Sequence, residues 1–129
     1  KLRPPKIPFS LSYHVICRLE NVLIKGNRFI LSDWGLSSRW RPDRVLSAQC
    51  GSMLYLSPEQ HDGKYFHGPE VDVWGLGVCL HAMICRTFPF MGATHAEVRS
   101  GMNRPLIFPA SMSIECRDLL ARMLEVNPA

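Results

Sequence analysis

The sequence predicts a mainly α-helical fold with one small β hairpin. Three observations carry that expectation: an apolar stretch from Glu70 to Ile84, a helical periodicity from Ser113 to Val126, and two short apolar runs around Lys25-Gly26-Asn27. Taken in order, residues 1–13 read as an irregular segment. Pro4, Pro5 and Pro8 remove backbone donors and disfavour the helical region in the residues before them. Val22–Ile24 and Phe29–Leu31 then read as two strands joined by a turn containing Gly and Asn. From 33 to 68, turn-formers and charges are scattered without sustained periodicity, which predicts a long functional loop. Glu70 to Ile84 is apolar on nearly all sides, the pattern of a helix buried in the middle of a domain. Phe88-Pro89-Phe90 ends it, and Ala93–Met102 suggests a second, more polar helix. In the third, Ser113 offers a cap and Cys116, Leu119, Leu120, Met123 and Leu124 recur at helical spacing before Asn127-Pro128 stops it.

Composition narrows the function. At 129 residues there is room for one core, and 47% hydrophobic against 20% charged residues marks a globular chain rather than a disordered one. No apolar run approaches the roughly 20 residues that a membrane span requires. Residues 1–10 hold no apolar core of a signal peptide, so a cytoplasmic or nuclear location is the expectation. The net charge of +4 is spread over Lys1–Lys6, Arg39–Arg44 and Arg99–Arg104. No zinc-finger spacing or basic helix accompanies it, so no nucleic-acid partner is expected. The five cysteines form no C-x-x-C pair and the histidines no H-E-x-x-H pattern, which predicts free thiols and no structural zinc.

Several short motifs then stand in one order: Leu19-Glu20-Asn21, Ser32-Asp33-Trp34-Gly35, Cys50-Gly51-Ser52 with Tyr55, Ser57-Pro58-Glu59, and Gly68-Pro69-Glu70-Val71-Asp72-Val73-Trp74. Any one tripeptide is weak, but the series at this spacing resembles the C-terminal lobe of eukaryotic protein kinases, from about His14 to Ala129. Within that family it is most similar to the Ser/Thr kinases of the calcium/calmodulin and AMP-activated-kinase-related group, including the microtubule-affinity-regulating kinases. Residues 14–129 are therefore expected to be a partial kinase domain, following the irregular segment 1–13.

The resemblance implies roles residue by residue. Asn21 and Asp33 stand where the family holds Mg²⁺, and both offer the hard oxygen ligands this ion prefers. Asp33 and Gly35 stand in the D-F-G motif beside ATP, with Trp34 in the Phe position and read, like Trp74, as a core aromatic. The catalytic H-R-D-L-K-x-x-N motif maps onto His14, Val15, Ile16, Cys17 and Arg18. Ile16 occupies the position of the Asp base and can accept no proton, while Arg18 replaces the phosphate-contacting Lys. Val15 and Ala48 replace the Arg and Thr of the family's phosphorylation switch, so both halves are changed. His14, Glu59 and Asp72 have structural roles, with Asp72 a buried organiser of the loop near His14 or simply a first-turn carboxylate. Arg86 stands at a helix end where related kinases often have Gly in a left-handed conformation.

The family's function is ATP-dependent, Mg²⁺-dependent phosphorylation of protein substrates. Within residues 1–129 there is no Gly-rich loop and no V-A-I-K lysine. The expectation is therefore a fragment that does not catalyse by itself. Two alternatives stand beside it: a piece of a longer working Ser/Thr kinase, and a pseudokinase-type module that docks a protein partner.

Overall fold

The computed structural model describes residues 12–13, 17–39, 51–65 and 68–127. Its elements are β1 (Ser12–Tyr13), β2 (Val22–Lys25), β3 (Arg28–Leu31), β4 (Ser38–Arg39), α1 (Pro58–His61), α2 (Pro69–Cys85), α3 (His95–Gly101) and α4 (Ile114–Met123). Single 3₁₀ turns occupy Leu19–Asn21 and Met53–Tyr55. The architecture is mainly α with a small antiparallel hairpin. No described helix is long and apolar enough to cross a membrane.

The hairpin pairs β2 with β3 in the register Val22↔Leu31 to Lys25↔Arg28, and Gly26 makes the turn at φ 60°. That left-handed conformation is open to glycine without the clash a side chain meets. A second pairing, β1 with β4, joins Ser12 to Arg39 and Tyr13 to Ser38. It corrects two expectations: the segment read as irregular to residue 13 ends in a strand, and the loop read from 33 to 68 contains β4, a 3₁₀ turn and α1. The prolines stop at Pro8, so Ser12 and Tyr13 keep the backbone donors a ladder needs. Two- to four-residue elements are also too short to leave a periodic signal.

α2 is the centre of the fold. Pro69 takes its first turn, where a missing N–H costs nothing, and Glu70 and Asp72 face the positive end of its dipole. It ends at Arg86, which has φ 57° and ψ 23° and donates its N–H to the Ala82 carbonyl at 2.9 Å. This is the left-handed cap that the resemblance implied, held without glycine at a cost of about 1 kcal/mol. Below it, the buried His81 donates a ring N–H to the Thr87 carbonyl (3.0 Å) and fixes the outgoing chain.

Val71, Trp74, Val78, Cys79 and Ala82 of α2 are buried with Tyr55, Phe90, Val98, Met102, Met112, Leu120 and Leu124. Trp74 stacks on Phe90 with ring centroids 5.7 Å apart, and α4 lies against α2 through Leu120 and Leu124. Ser113 caps α4 by accepting the Cys116 N–H (3.2 Å), as expected from the sequence, and Thr94 caps α3 by accepting that of Glu97 (3.2 Å). α3 is tied to α1 by Arg99, whose guanidinium grips both carboxylate oxygens of Asp62 at 2.8 and 3.2 Å. Arg99 and Lys64 hold the Asp62 carboxyl down to about 2.

One side of α2 is uncovered. Val73, Leu76, Met83 and Ile84 are 41–50% exposed, so the helix is not buried on all sides. They recur at helical spacing and form a single stripe. Trp34, read as a core aromatic, is also exposed at 55%. Half-burial forfeits roughly half of the 1.5–3 kcal/mol available to each large apolar side chain. Such a stripe favours association with other apolar surfaces. The purified chain should bind a hydrophobic dye strongly and elute from size exclusion with light scattering as an oligomer. A monodisperse monomer with a sharp melt above about 50 °C, ordinary for a mesophilic domain, would contradict this.

Candidate functional site

The sequence-predicted metal residues meet at one end of the β2–β3 hairpin. Asn21 closes the 3₁₀ turn just before β2, and Ser32 and Asp33 follow directly after β3. The Asn21 carbonyl accepts two hydrogen bonds from Ser32, from its N–H at 2.8 Å and its hydroxyl at 3.0 Å. The hairpin ladder therefore continues one step past the strands and brings the two segments side by side. Asp33 has φ 61°, a left-handed conformation that Asp tolerates better than most residues. Its Oδ1 accepts the Gly35 N–H at 3.3 Å in an Asx turn. A Cβ on Gly35 would sit 3.3 Å from that same oxygen.

This donor set suits a hard cation. An amide-bearing and a carboxylate-bearing residue sit at adjacent positions of one ladder, and Asp33 is exposed. Among the described residues no group of three or more His, Cys, Asp or Glu is placed to hold a metal ion. The arrangement fits Mg²⁺, which binds through one or two protein oxygens and takes the rest of its shell from water and phosphate.

Arg18 lies beside Glu20, with Nε 3.5 Å from the carboxylate. Tyr55, which sequence reasoning used only as a family marker, joins the two sides of the site. Its hydroxyl accepts the Leu19 N–H at 3.3 Å and donates to Glu20 at 3.4 Å. Burial raises the Tyr55 phenol above its ordinary value, so it stays protonated and able to donate. Its ring meets Phe88 edge-on, with centroids 5.2 Å apart, which anchors the 51–58 segment to the turn after α2. A lone aromatic before Ser57-Pro58-Glu59 was the only signal available in sequence.

Ser57 precedes α1, and its N–H and hydroxyl both donate to Gln60 Oε1 at 3.1 Å. Glu59 lies in the first turn of α1 and lines a cavity of about 230 Å³ with Glu70, Trp74, Arg122 and Glu125. Asp72 is half-buried in the first turn of α2, close enough to Cys17 for its charge to oppose ionisation of that thiol. His14, Val15, Ile16 and Ala48 lie outside the described residues. The structure thus brings Asn21, Asp33 and Gly35 together, places Arg18 and Glu20 next to them, and sets Glu59 and Asp72 on the scaffold behind.

Comparison with known proteins gives the family. The sequence profile of the protein kinase domain matches residues 14–129. The chain is 36% identical over 128 residues to the rat Serine/threonine-protein kinase SIK1, covering 95% of this chain and 16% of that protein. It is 40% identical over 121 residues to Serine/threonine-protein kinase ppk25 of Schizosaccharomyces pombe, covering 89% and 28%. Against the mouse NUAK family SNF1-like kinase 1 the identity is 41% over 120 residues, covering 89% and 18%. The chain spans less than a third of the length of these curated relatives. A kinase-domain profile over almost the whole chain, and a hairpin that sets Asn21 beside Asp33, lead to one conclusion: this chain belongs to the protein kinase family, as a fragment of kinase domain similar to those of AMP-activated-kinase-related Ser/Thr kinases.

Proposed function

We propose that this chain carries the metal-holding end and the substrate-side scaffold of a Ser/Thr protein kinase lobe, and that it does not transfer phosphate by itself. The hydrogen-bonded junction of Asn21 with Ser32 supports the first part, because it sets two oxygen-donor side chains on one ladder. Ile16 at the position of the catalytic Asp supports the second.

Phosphoryl transfer in this family depends on positioning and electrostatics more than on covalent chemistry. Asn21 and Asp33 are the residues that would hold Mg²⁺, which when bound with ATP neutralises the phosphate charge. Gly35 keeps the Asp33 carboxylate turned by donating its N–H. Arg18 would offer its guanidinium to a phosphate, though a planar fork does not reproduce the point charge of a lysine. By the family pattern the base position is Ile16, an aliphatic residue with neither a lone pair to orient a substrate hydroxyl nor a base to take its proton. Residues 1–129 also contain no Gly-rich loop or V-A-I-K lysine to hold the nucleotide from the other side. The partner class is a protein, as substrate in a longer kinase or as docking partner of a non-catalytic one.

With Mg-ATP and a generic basic peptide, residues 1–129 should incorporate no labelled phosphate above background. Incorporation that disappears in Asp33→Ala would contradict the proposal, because it would show turnover through this site. A second expectation separates a missing base from a missing half-site. Ile16→Asp alone should leave turnover at background, since groups that act as a unit are not restored one at a time. A large gain in a steady-state phosphorylation assay would show that nucleotide is already well held.

A further inference from the structure

Cys17 and Cys79 lie 62 positions apart in sequence and meet inside the fold, where the Cys79 thiol donates to the Cys17 sulfur at 3.8 Å. Both are free thiols, with Cys79 fully buried and Cys17 8% exposed. Neither has a part in the proposed chemistry. Cys17 stands immediately before the segment that carries Leu19–Asn21, and Cys79 sits in the middle of α2. The contact exists because the backbone of residue 17 runs against α2 at Gly75. A Cβ there would lie 3.3 Å from the Cys17 Cβ and 3.5 Å from its carbonyl oxygen.

We propose that Cys17 and Cys79 form an oxidative modification site at which a hydroperoxide is reduced and the two sulfurs are joined in a disulfide. In the first step the Cys17 thiolate attacks a peroxide oxygen. An S–O bond forms, the O–O bond breaks, and the leaving oxygen takes up a proton as water or alcohol. In the second step the Cys79 sulfur attacks the Cys17 sulfenic acid, the S–S bond forms, and the hydroxyl leaves with the Cys79 proton as water. The sulfur pair loses two electrons and the peroxide gains them.

The order of the steps follows from the geometry. Of the two, Cys17 is the less enclosed, and among the described residues Cys79 is the thiol in contact with it to resolve the product. Electrostatics agree: the hydrogen bond from Cys79 lowers the Cys17 thiol, against burial and the charge of Asp72, while the same bond and burial raise Cys79. Low thiolate pKa and a neighbouring resolving thiol mark oxidation-sensitive pairs. Starting from 3.8 Å, joining the sulfurs at the usual S–S length of about 2 Å needs them to approach by less than about 2 Å. The bond would fasten the Leu19–Asn21 turn to α2 and would reverse with a dithiol.

The test is peroxide oxidation of the reduced, folded chain of residues 1–129, followed by alkylation, digestion and mass spectrometry. The expected product is a Cys17–Cys79 cross-linked peptide pair, with two of the five thiols lost per chain and both recovered by dithiothreitol. In Cys79→Ser the sulfenic acid should persist at Cys17 and react with dimedone. Cys17→Ala should abolish the cross-link. In urea, where the pair is no longer held together, the preference for this cross-link should vanish. The wild-type readout does not depend on either variant folding. Oxidation at the half-exposed Cys85 or Cys116 with Cys17 and Cys79 both still alkylatable would overturn the proposal. So would a Cys17 sulfenic acid that persists in the wild-type chain.

Discussion

The fold depends on how closely other segments approach α2. Two glycines set those distances on opposite faces of the helix. At Gly77 a Cβ would stand 2.9 Å from the Cβ of Met123, closer than real Cβ atoms come, and 3.1 Å from the nearest atom of the Leu124 side chain. The contact is with the root of the methionine side chain, which cannot swing away. α4 therefore seats on α2 only because residue 77 has no side chain. On the other face, Gly75 lets the backbone of Cys17 lie against the helix, and that contact sets where the Leu19–Asn21 turn begins. Trp74, Val78 and Cys79 fill the space between and around these two seams.

The candidate site inherits its geometry from this arrangement by way of backbone groups. Asn21 is held by its carbonyl and Leu19 by its N–H, one through Ser32 and the other through Tyr55. None of these contacts involves position 16. The groups that fix the turn, on Ser32 and Tyr55, are thus distinct from the side chains proposed to hold the metal. Arg86 makes a related point. The left-handed turn it occupies is imposed by the surrounding chain, with His81 and the Ala82 carbonyl holding it, whether or not glycine is present.

Local patterns were legible in the sequence and long-range contacts were not. The strands of the hairpin, the bounds of α2 to within a residue at each end, the Ser113 cap and the left-handed Arg86 all follow from neighbours a few positions apart. The pairing of Ser12–Tyr13 with Ser38–Arg39 joins segments too short for any periodic signal. The bridge from Tyr55 to Leu19 and the Cys17–Cys79 contact depend on tertiary packing. α2 shows the limit best. Its apolar circumference predicted a helix central to the fold, but periodicity alone does not single out Val73, Leu76, Met83 and Ile84 as the uncovered side. Trp34 was misplaced for the same reason, because an aromatic residue in a motif says nothing about what packs over it.

The account rests on the seam at Gly77, and Gly77→Ala tests it because two physical effects oppose each other in sign. Helix propensity alone makes alanine more favourable than glycine by about 1 kcal/mol in a helix interior. The 2.9 Å approach of Met123 predicts the reverse, with α4 pushed off its seat. Urea denaturation at low protein concentration, followed by circular dichroism, reads the balance directly. The account predicts a lower unfolding midpoint for Gly77→Ala, with the unfolding free energy reduced by an amount typical of overpacking a core, about 1–3 kcal/mol. An unchanged or raised midpoint would show that α4 does not bear on α2 at this residue.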